Sequence, residues 1–151
     1  VENADKLESK LPQCFENSGR FAERKNLIEK LACITARFHR LGYRHRDLYL
    51  AHIFYNPAGI FTLIDLHRVF KPFFFAERFR IKDIAQLNYS CRAGVISHAD
   101  RMRFYKKYAL VQKLSGRDKR FIYKVMKKCG KMARHDLKHG RQPLFAATGN
   151  K

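Results

Sequence analysis

His45, Arg46 and Asp47 stand together in a stretch, Tyr43 to His52, that concentrates ionisable groups and has no clean apolar period; a second carboxylate, Asp65, follows eighteen residues after Asp47. Between the two run Ile53-Phe54-Tyr55 and Ile60-Phe61-Thr62-Leu63-Ile64, short β-rich segments separated by the turn residues Asn56-Pro57-Ala58-Gly59. That pattern predicts a hairpin. A hairpin returns the chain to where it left, so Asp47 before it and Asp65 just after it converge. Two carboxylates so placed suit phosphoryl transfer: one orients and deprotonates an acceptor hydroxyl, the other holds the metal that bridges phosphates. His-Arg-Asp alone is a weak signal, but with the hairpin and an aspartate at this offset it is considerably stronger.

The elements that must hold this pair are legible in outline. Leu27, Leu31, Ile34, Phe38 and Leu41 recur at steps of three and four, which predicts a helix over 22–41 ended by Gly42. Residues 66–76 read as irregular and aromatic, with Pro72 and the run Phe73 to Phe75. From Glu77 helical spacing returns through Phe79, Ile84, Leu87 and Cys91 and ends near Gly94. Ser97 with Asp100 forms a capping-box pattern opening a helix that turns Phe104, Tyr108 and Val111 inward. A last helix starts near Ser115 and carries Ile122, Val125, Met126, Cys129, Met132 and Ala133, weakened by Gly130. Residues 140–151 read as a loose, flexible tail. The expected class is mainly α with a small β-hairpin, one domain over 1–139 with the catalytic loop at 45–52.

Composition narrows the partners. The chain has 151 residues, and its 32 Lys+Arg against 13 Asp+Glu give a net charge of +19. Hydrophobic residues make up 46%, with 13 Phe and 7 Tyr, which excludes a disordered basic tail. Lys or Arg interrupts every apolar stretch before it reaches membrane-spanning length. Residues 101–151 carry a net +14 and residues 1–100 only +5, so an anionic partner meets the C-terminal third first. Cys14, Cys33, Cys91 and Cys129 are irregularly spaced without C-x-x-C, so reduced thiols are expected and a zinc or disulfide framework is not. No signal peptide is visible at Val1 to Asp5, and a start at Val fits a piece of something longer.

The segments His45-Arg46-Asp47-Leu48-Tyr49-Leu50-Ala51-His52 and Leu63-Ile64-Asp65-Leu66-His67-Arg68 resemble the lipopolysaccharide kinase (Kdo/WaaP) family, within it the heptose-kinase type. The helix before them and Arg78 to Ile84 fit as well, so the likeness runs over roughly residues 20–130. The resemblance implies the C-terminal lobe of a protein-kinase-like fold. It also implies ATP and Mg²⁺ as cofactors and ATP-dependent phosphorylation of an inner-core heptose hydroxyl. Asp47 would accept the hydroxyl proton. Asp65 would hold the metal and nucleotide phosphates, in a triplet Asp65-Leu66-His67 that lacks the phenylalanine of regulated kinases. His52, five residues after Asp47, would take the place of a metal-binding asparagine, although imidazole is a poorer Mg²⁺ ligand than an amide oxygen. His45 and Arg46 would support the catalytic loop, and Asp83 would hydrogen-bond back to it from the following helix.

Structural readings stand beside these. The lesser reading of Asp47 is a loop carboxylate paired with Arg46, and that of Asp65 a cap on the turn; His52 reads equally as a packed, hydrogen-bonded histidine. His135 and His139 share a helix face at i, i+4, but no third ligand is nearby and a coincidence in a basic tail is preferred. Phe73 to Phe75 fit either a membrane- or glycolipid-facing loop or core packing.

Only 44 residues precede His45, with two glycines, Gly19 and Gly42, and no G-x-G-x-x-G or strand lysine. The expectation is therefore a C-lobe whose N-lobe is missing and which alone turns over little ATP. The implied setting is peripheral, on the cytoplasmic face of a Gram-negative inner membrane. There the basic third meets anionic lipid and the lipopolysaccharide glycolipid substrate, each basic residue contributing about 1 kcal/mol. The alternative is a non-catalytic kinase-like remnant or a basic module for anionic partners. Nucleic acid is disfavoured among these, because no helix-turn-helix or RNP signature accompanies the charge.

Overall fold

The computed structural model describes residues 4–9, 21–56, 58–91 and 95–144. Chain order is β1 (Asp5–Lys6), α1 (Phe21–Arg40), β2 (Ile53–Tyr55), β3 (Phe61–Leu63), α2 (Ala76–Ser90), α3 (His98–Ala109) and α4 (Gly116–Lys138), with 3-10 turns at Leu50–His52 and Leu66–Arg68. β2 and β3 form the hairpin, Ile53 facing Leu63 and Tyr55 facing Phe61. Asn56 closes its turn: its carboxamide oxygen accepts the Ile60 N–H at 2.9 Å, and Gly59 supplies a φ of 80°. The hairpin is not alone. β1 adds antiparallel to β2, Asp5 facing Tyr55, so the sheet has three strands in the order β1-β2-β3. Two residues are too few to show an alternation, which is why sequence pattern gave no hint of this strand.

α1 ends in a Schellman motif, with Tyr43 N–H on the Phe38 carbonyl at 3.3 Å, Gly42 N–H on the His39 carbonyl at 3.1 Å, and Gly42 at φ 88°. Its buried face differs from the expected stripe in the second half. Leu27, Ile28 and Leu31 are buried, but then Ala32, Thr35, Ala36 and His39 take over while Ile34 and Leu41 are exposed. The small residues let α3 approach. α4 shows a similar shift: Phe121, Val125, Cys129 and Ala133 are buried at steps of four, and Met126 is exposed. α3 turns Tyr105 and Tyr108 inward and ends at Ala109, so Val111 lies beyond it. Capping boxes open both helices, Ser97 with Asp100 and Ser115 with Asp118.

α2 is the axis. Asp83, Ile84, Ala85, Gln86, Leu87, Tyr89 and Ser90 are all buried, because α4 packs on one side and the 43–52 loop on another. A helix enclosed on several sides needs no single apolar stripe. It ends at Ser90, and the end expected at Gly94 lies outside the described residues. One core joins α1, α2, α3 and α4; a second joins Leu7, Leu27, Leu31, Leu48, Leu50, Ile53 and Leu87 beneath the sheet.

Past α4, Arg141 Nη2 pairs with Asp136 Oδ1 at 3.1 Å and Leu144 packs on the first core; the tail from 145 onward lies outside the described residues. Phe73, Phe74 and Phe75 are 98%, 77% and 75% exposed, so the run is no part of either core. Cys33, Cys91 and Cys129 are free thiols, and Cys14 lies outside the described residues. No helix among the described residues is long and apolar enough to cross a membrane.

Candidate active site

The 43–52 loop is fixed from two directions. On one side it pairs with the chain that leaves the hairpin. Arg44 and Phe70 exchange backbone hydrogen bonds at 2.9 Å each, and His45 Nε2–H donates to the Ile64 carbonyl at 2.9 Å, one residue before Asp65. A carbonyl only accepts, so that bond fixes the His45 tautomer. His52 Nδ1–H donates to the Asp47 carbonyl at 2.7 Å, and the His52 carbonyl accepts the Ile64 N–H at 3.0 Å. The His45 and His52 rings stack with centroids 6.1 Å apart. The loops bearing Asp47 and Asp65 are thus one hydrogen-bonded unit. The turn that begins at Asp65 delivers Arg68, whose Nη1 lies 3.5 Å from Asp47 Oδ2.

On the other side, α2 holds the loop by a polar ladder. Asp83 Oδ2 accepts the His45 N–H at 2.9 Å, Gln86 Oε1 accepts the Leu48 N–H at 3.2 Å, and Ser90 Oγ accepts the Leu50 N–H at 3.0 Å. Gln86 Nε2 also donates to Asp47 Oδ1 at 3.3 Å, and the Tyr49 phenol stands beside Gln86. Burial pushes that phenol up from its ordinary range. Behind Asp83 stands buried His39, its Nε2–H 3.2 Å from Asp83 Oδ2 and its Nδ1 2.7 Å from the Tyr108 hydroxyl. Burial is the leading influence on both: it lowers the His39 pKa and holds the Tyr108 phenol up at about 12.

Arg46 and Asp65 both sit in the left-handed region, at φ 66° and 61°. Such conformations cost about 1–3 kcal/mol each in non-glycine residues and concentrate where a site over-determines the backbone. Phe70 helps to hold the first, since the Arg46 guanidinium lies 4.4 Å above its ring. Arg46 makes no ion pair with Asp47 among the described residues; Arg68 does.

Asp65 Oδ1 meets His67 Nδ1 at 2.8 Å. With Nδ1 of His52 engaged, Nε2 is the nitrogen it has left for a ligand. Among the described residues no three His, Cys, Asp or Glu side chains gather as a metal cage. The donor set instead fits a hard cation held by one or two carboxylates and completed by substrate phosphates and water, the usual mode for Mg²⁺.

Sequence reading missed Gln86, Ser90, Arg68 and His39. The first two carried a signal: with Asp83 they stand at i, i+3 and i+7, a polar stripe along one helix face. Arg68 and His39 carried none.

The profile of the family described as "Lipopolysaccharide kinase (Kdo/WaaP) family" matches residues 1–108. The lipopolysaccharide core heptose(I) kinase WaaP of Pseudomonas aeruginosa is 33% identical over 92 residues, 56% of this chain and 34% of the relative. The solved structure of WaaP in complex with acyl carrier protein shares the fold with a TM-score of 0.70 at 23% identity, covering 87% of this chain and 58% of that one. The chain therefore spans about a third of the curated relative and just over half of the solved one.

Proposed function

The chain belongs to the lipopolysaccharide kinase (Kdo/WaaP) family, and on that premise we propose that it carries the catalytic-loop lobe of an ATP-dependent kinase acting on a heptose hydroxyl of the lipopolysaccharide inner core. One observation carries the proposal: the Asp47 loop and the chain leading into Asp65 are locked together through His45, Ile64, Arg44 and Phe70, and Arg68 bridges from the Asp65 turn to Asp47. The heptose comes from the Pseudomonas relative, and the C-lobe assignment from the motif and the solved neighbour.

In the proposed reaction Asp47 accepts the proton of the acceptor hydroxyl. The freed oxygen forms a bond to the γ-phosphorus of ATP as the bond from that phosphorus to the bridging oxygen breaks, leaving ADP. Gln86 aims Asp47, and the Asp83 and Ser90 bonds keep the loop backbone in place. Asp65, with His52 Nε2 beside the loop, would hold Mg²⁺. When bound, that ion neutralises charge on the phosphates. Arg68 provides a cation on the Asp47 side, where phosphoryl charge develops.

The proposed setting is the cytoplasmic face of an inner membrane, with anionic lipid against the basic C-terminal third. The neighbour's complex makes acyl carrier protein a partner to test. The decisive assay follows labelled γ-phosphate from ATP to heptose-bearing core oligosaccharide, using the protein expressed from its native reading frame. Asp47→Asn should lower the rate about a hundred- to ten-thousand-fold, and Asp65→Asn should abolish nucleotide-dependent transfer. Undiminished transfer in either variant rejects the assignment.

A further inference from the structure

A cavity of about 410 Å³ opens between the C-terminal end of α1, the start of α2, α3 and the first turn of α4. Asp47, His52 and Asp65 do not line it; Arg40, Arg44, Arg80 and Arg117 do, together with His39 and Tyr108. None of the four guanidinium groups forms an ion pair among the described residues. Arg44, only 7% exposed, is tied to the carbonyls of His39, Tyr43 and Ala76 instead. Arg80 lies over the Phe121 ring at 4.4 Å, beside the Tyr108 hydroxyl. Asp118, the one carboxylate in the lining, accepts hydrogen bonds from Ser115 and the Tyr105 hydroxyl, while outside the lining Asp83 is engaged by His45 and His39 and Glu77 by Lys124. Burying a guanidinium without a counter-ion is costly. Four guanidinium groups against the single carboxylate of Asp118 leave the cavity with an excess of positive charge, which suits a phosphate.

We propose that this cavity binds a phosphate-bearing anion, separate from the Asp47–Asp65 site. A continuous set of hydrogen bonds leads from it to the catalytic loop. Tyr108, in the lining, donates its hydroxyl hydrogen to His39 Nδ1; His39 Nε2–H donates to Asp83, which accepts the His45 N–H. Occupancy of the cavity is therefore felt at the His45 amide.

The test is a titration of the isotope-labelled chain carrying Asp65→Asn, without Mg²⁺, followed by the NMR signals of arginine Nε–H and the His45 amide. Pyrophosphate and glucose 1-phosphate are the two probes. Tighter binding of the first assigns a free inorganic or nucleotide phosphate, tighter binding of the second a phosphorylated sugar. Either should saturate and should move both the arginine and the His45 signals. Arg117→Gln, an exposed substitution that leaves the cores intact, should weaken binding about tenfold. Arg120→Gln, on the same helix but outside the cavity, should weaken it less than about twofold. Shifts that grow without saturating, or equal losses in the two variants, overturn the proposal, since both are what diffuse attraction to a basic surface produces.

Discussion

Asp47 is held by a neighbour that no motif names. Gln86 reaches it through Nε2 while its Oε1 takes the Leu48 N–H, so one buried carboxamide satisfies a backbone donor and aims the candidate base. Replacing it with leucine separates these from the chemistry. Gln86→Leu keeps the volume but leaves the Leu48 amide buried without a partner, at a cost of about 1–3 kcal/mol. For a chain of this size each kcal/mol lowers the melting temperature by about 2–4 °C. The expected result is a lower Tm together with a lower kcat and little change in KM for ATP. Asp47→Asn should instead keep the Tm and lose kcat. Thermal melts and steady-state kinetics on the two variants check the split; a Gln86→Leu protein with unaltered kcat removes the positioning role.

The helices and the hairpin were legible because each repeats a local rule: apolar steps of three and four, a capping box, a turn with Asn and Gly. What the sequence hid was rotation and enclosure. Ile34 and Leu41 continue α1's apolar period yet face outward, because small Ala32 and Ala36 draw α3 onto the adjoining face. His39, from that face, joins α1 to α2 and α3 through Asp83 and Tyr108, a contact across 44 and 69 residues that no local pattern encodes. It has a pH signature. Burial lowers the His39 pKa from its ordinary 6.5, with Arg44 and Arg80 acting the same way and Asp83 opposing. The unfolded chain therefore binds a proton first as pH falls below about 6.5, and stability is lost from there down through the folded value. The Tm should hold above pH 7 and decline below 6.5, and His39→Gln should flatten that part of the curve. An identical decline in the variant places the titration elsewhere.

Across the whole molecule, charge and exposed apolar surface fall on the same side. Phe73 to Phe75 lead directly into α2, whose Glu77 pairs with Lys124 of α4 at 3.0 Å. Next along that side, burial lowers the Lys128 pKa, and the neighbouring charges of Lys82, Lys131 and Arg78 act the same way. Three aromatic side chains standing in water beside a lysine- and arginine-rich face form a surface suited to an anionic bilayer, the rings entering the interface and the cations meeting head groups. The two contributions separate by experiment. Binding to vesicles with anionic lipid should exceed binding to neutral vesicles. It should also weaken as salt rises from about 0.1 M to about 1 M, over which the screening length falls from about 10 Å to about 3 Å. Phe73→Ser with Phe74→Ser should lower partitioning to anionic vesicles by roughly tenfold or more and leave the salt dependence in place, because the charges remain. Equal binding to neutral and anionic vesicles, or a double variant that partitions like the parent, would show that this side of the molecule faces something other than a membrane.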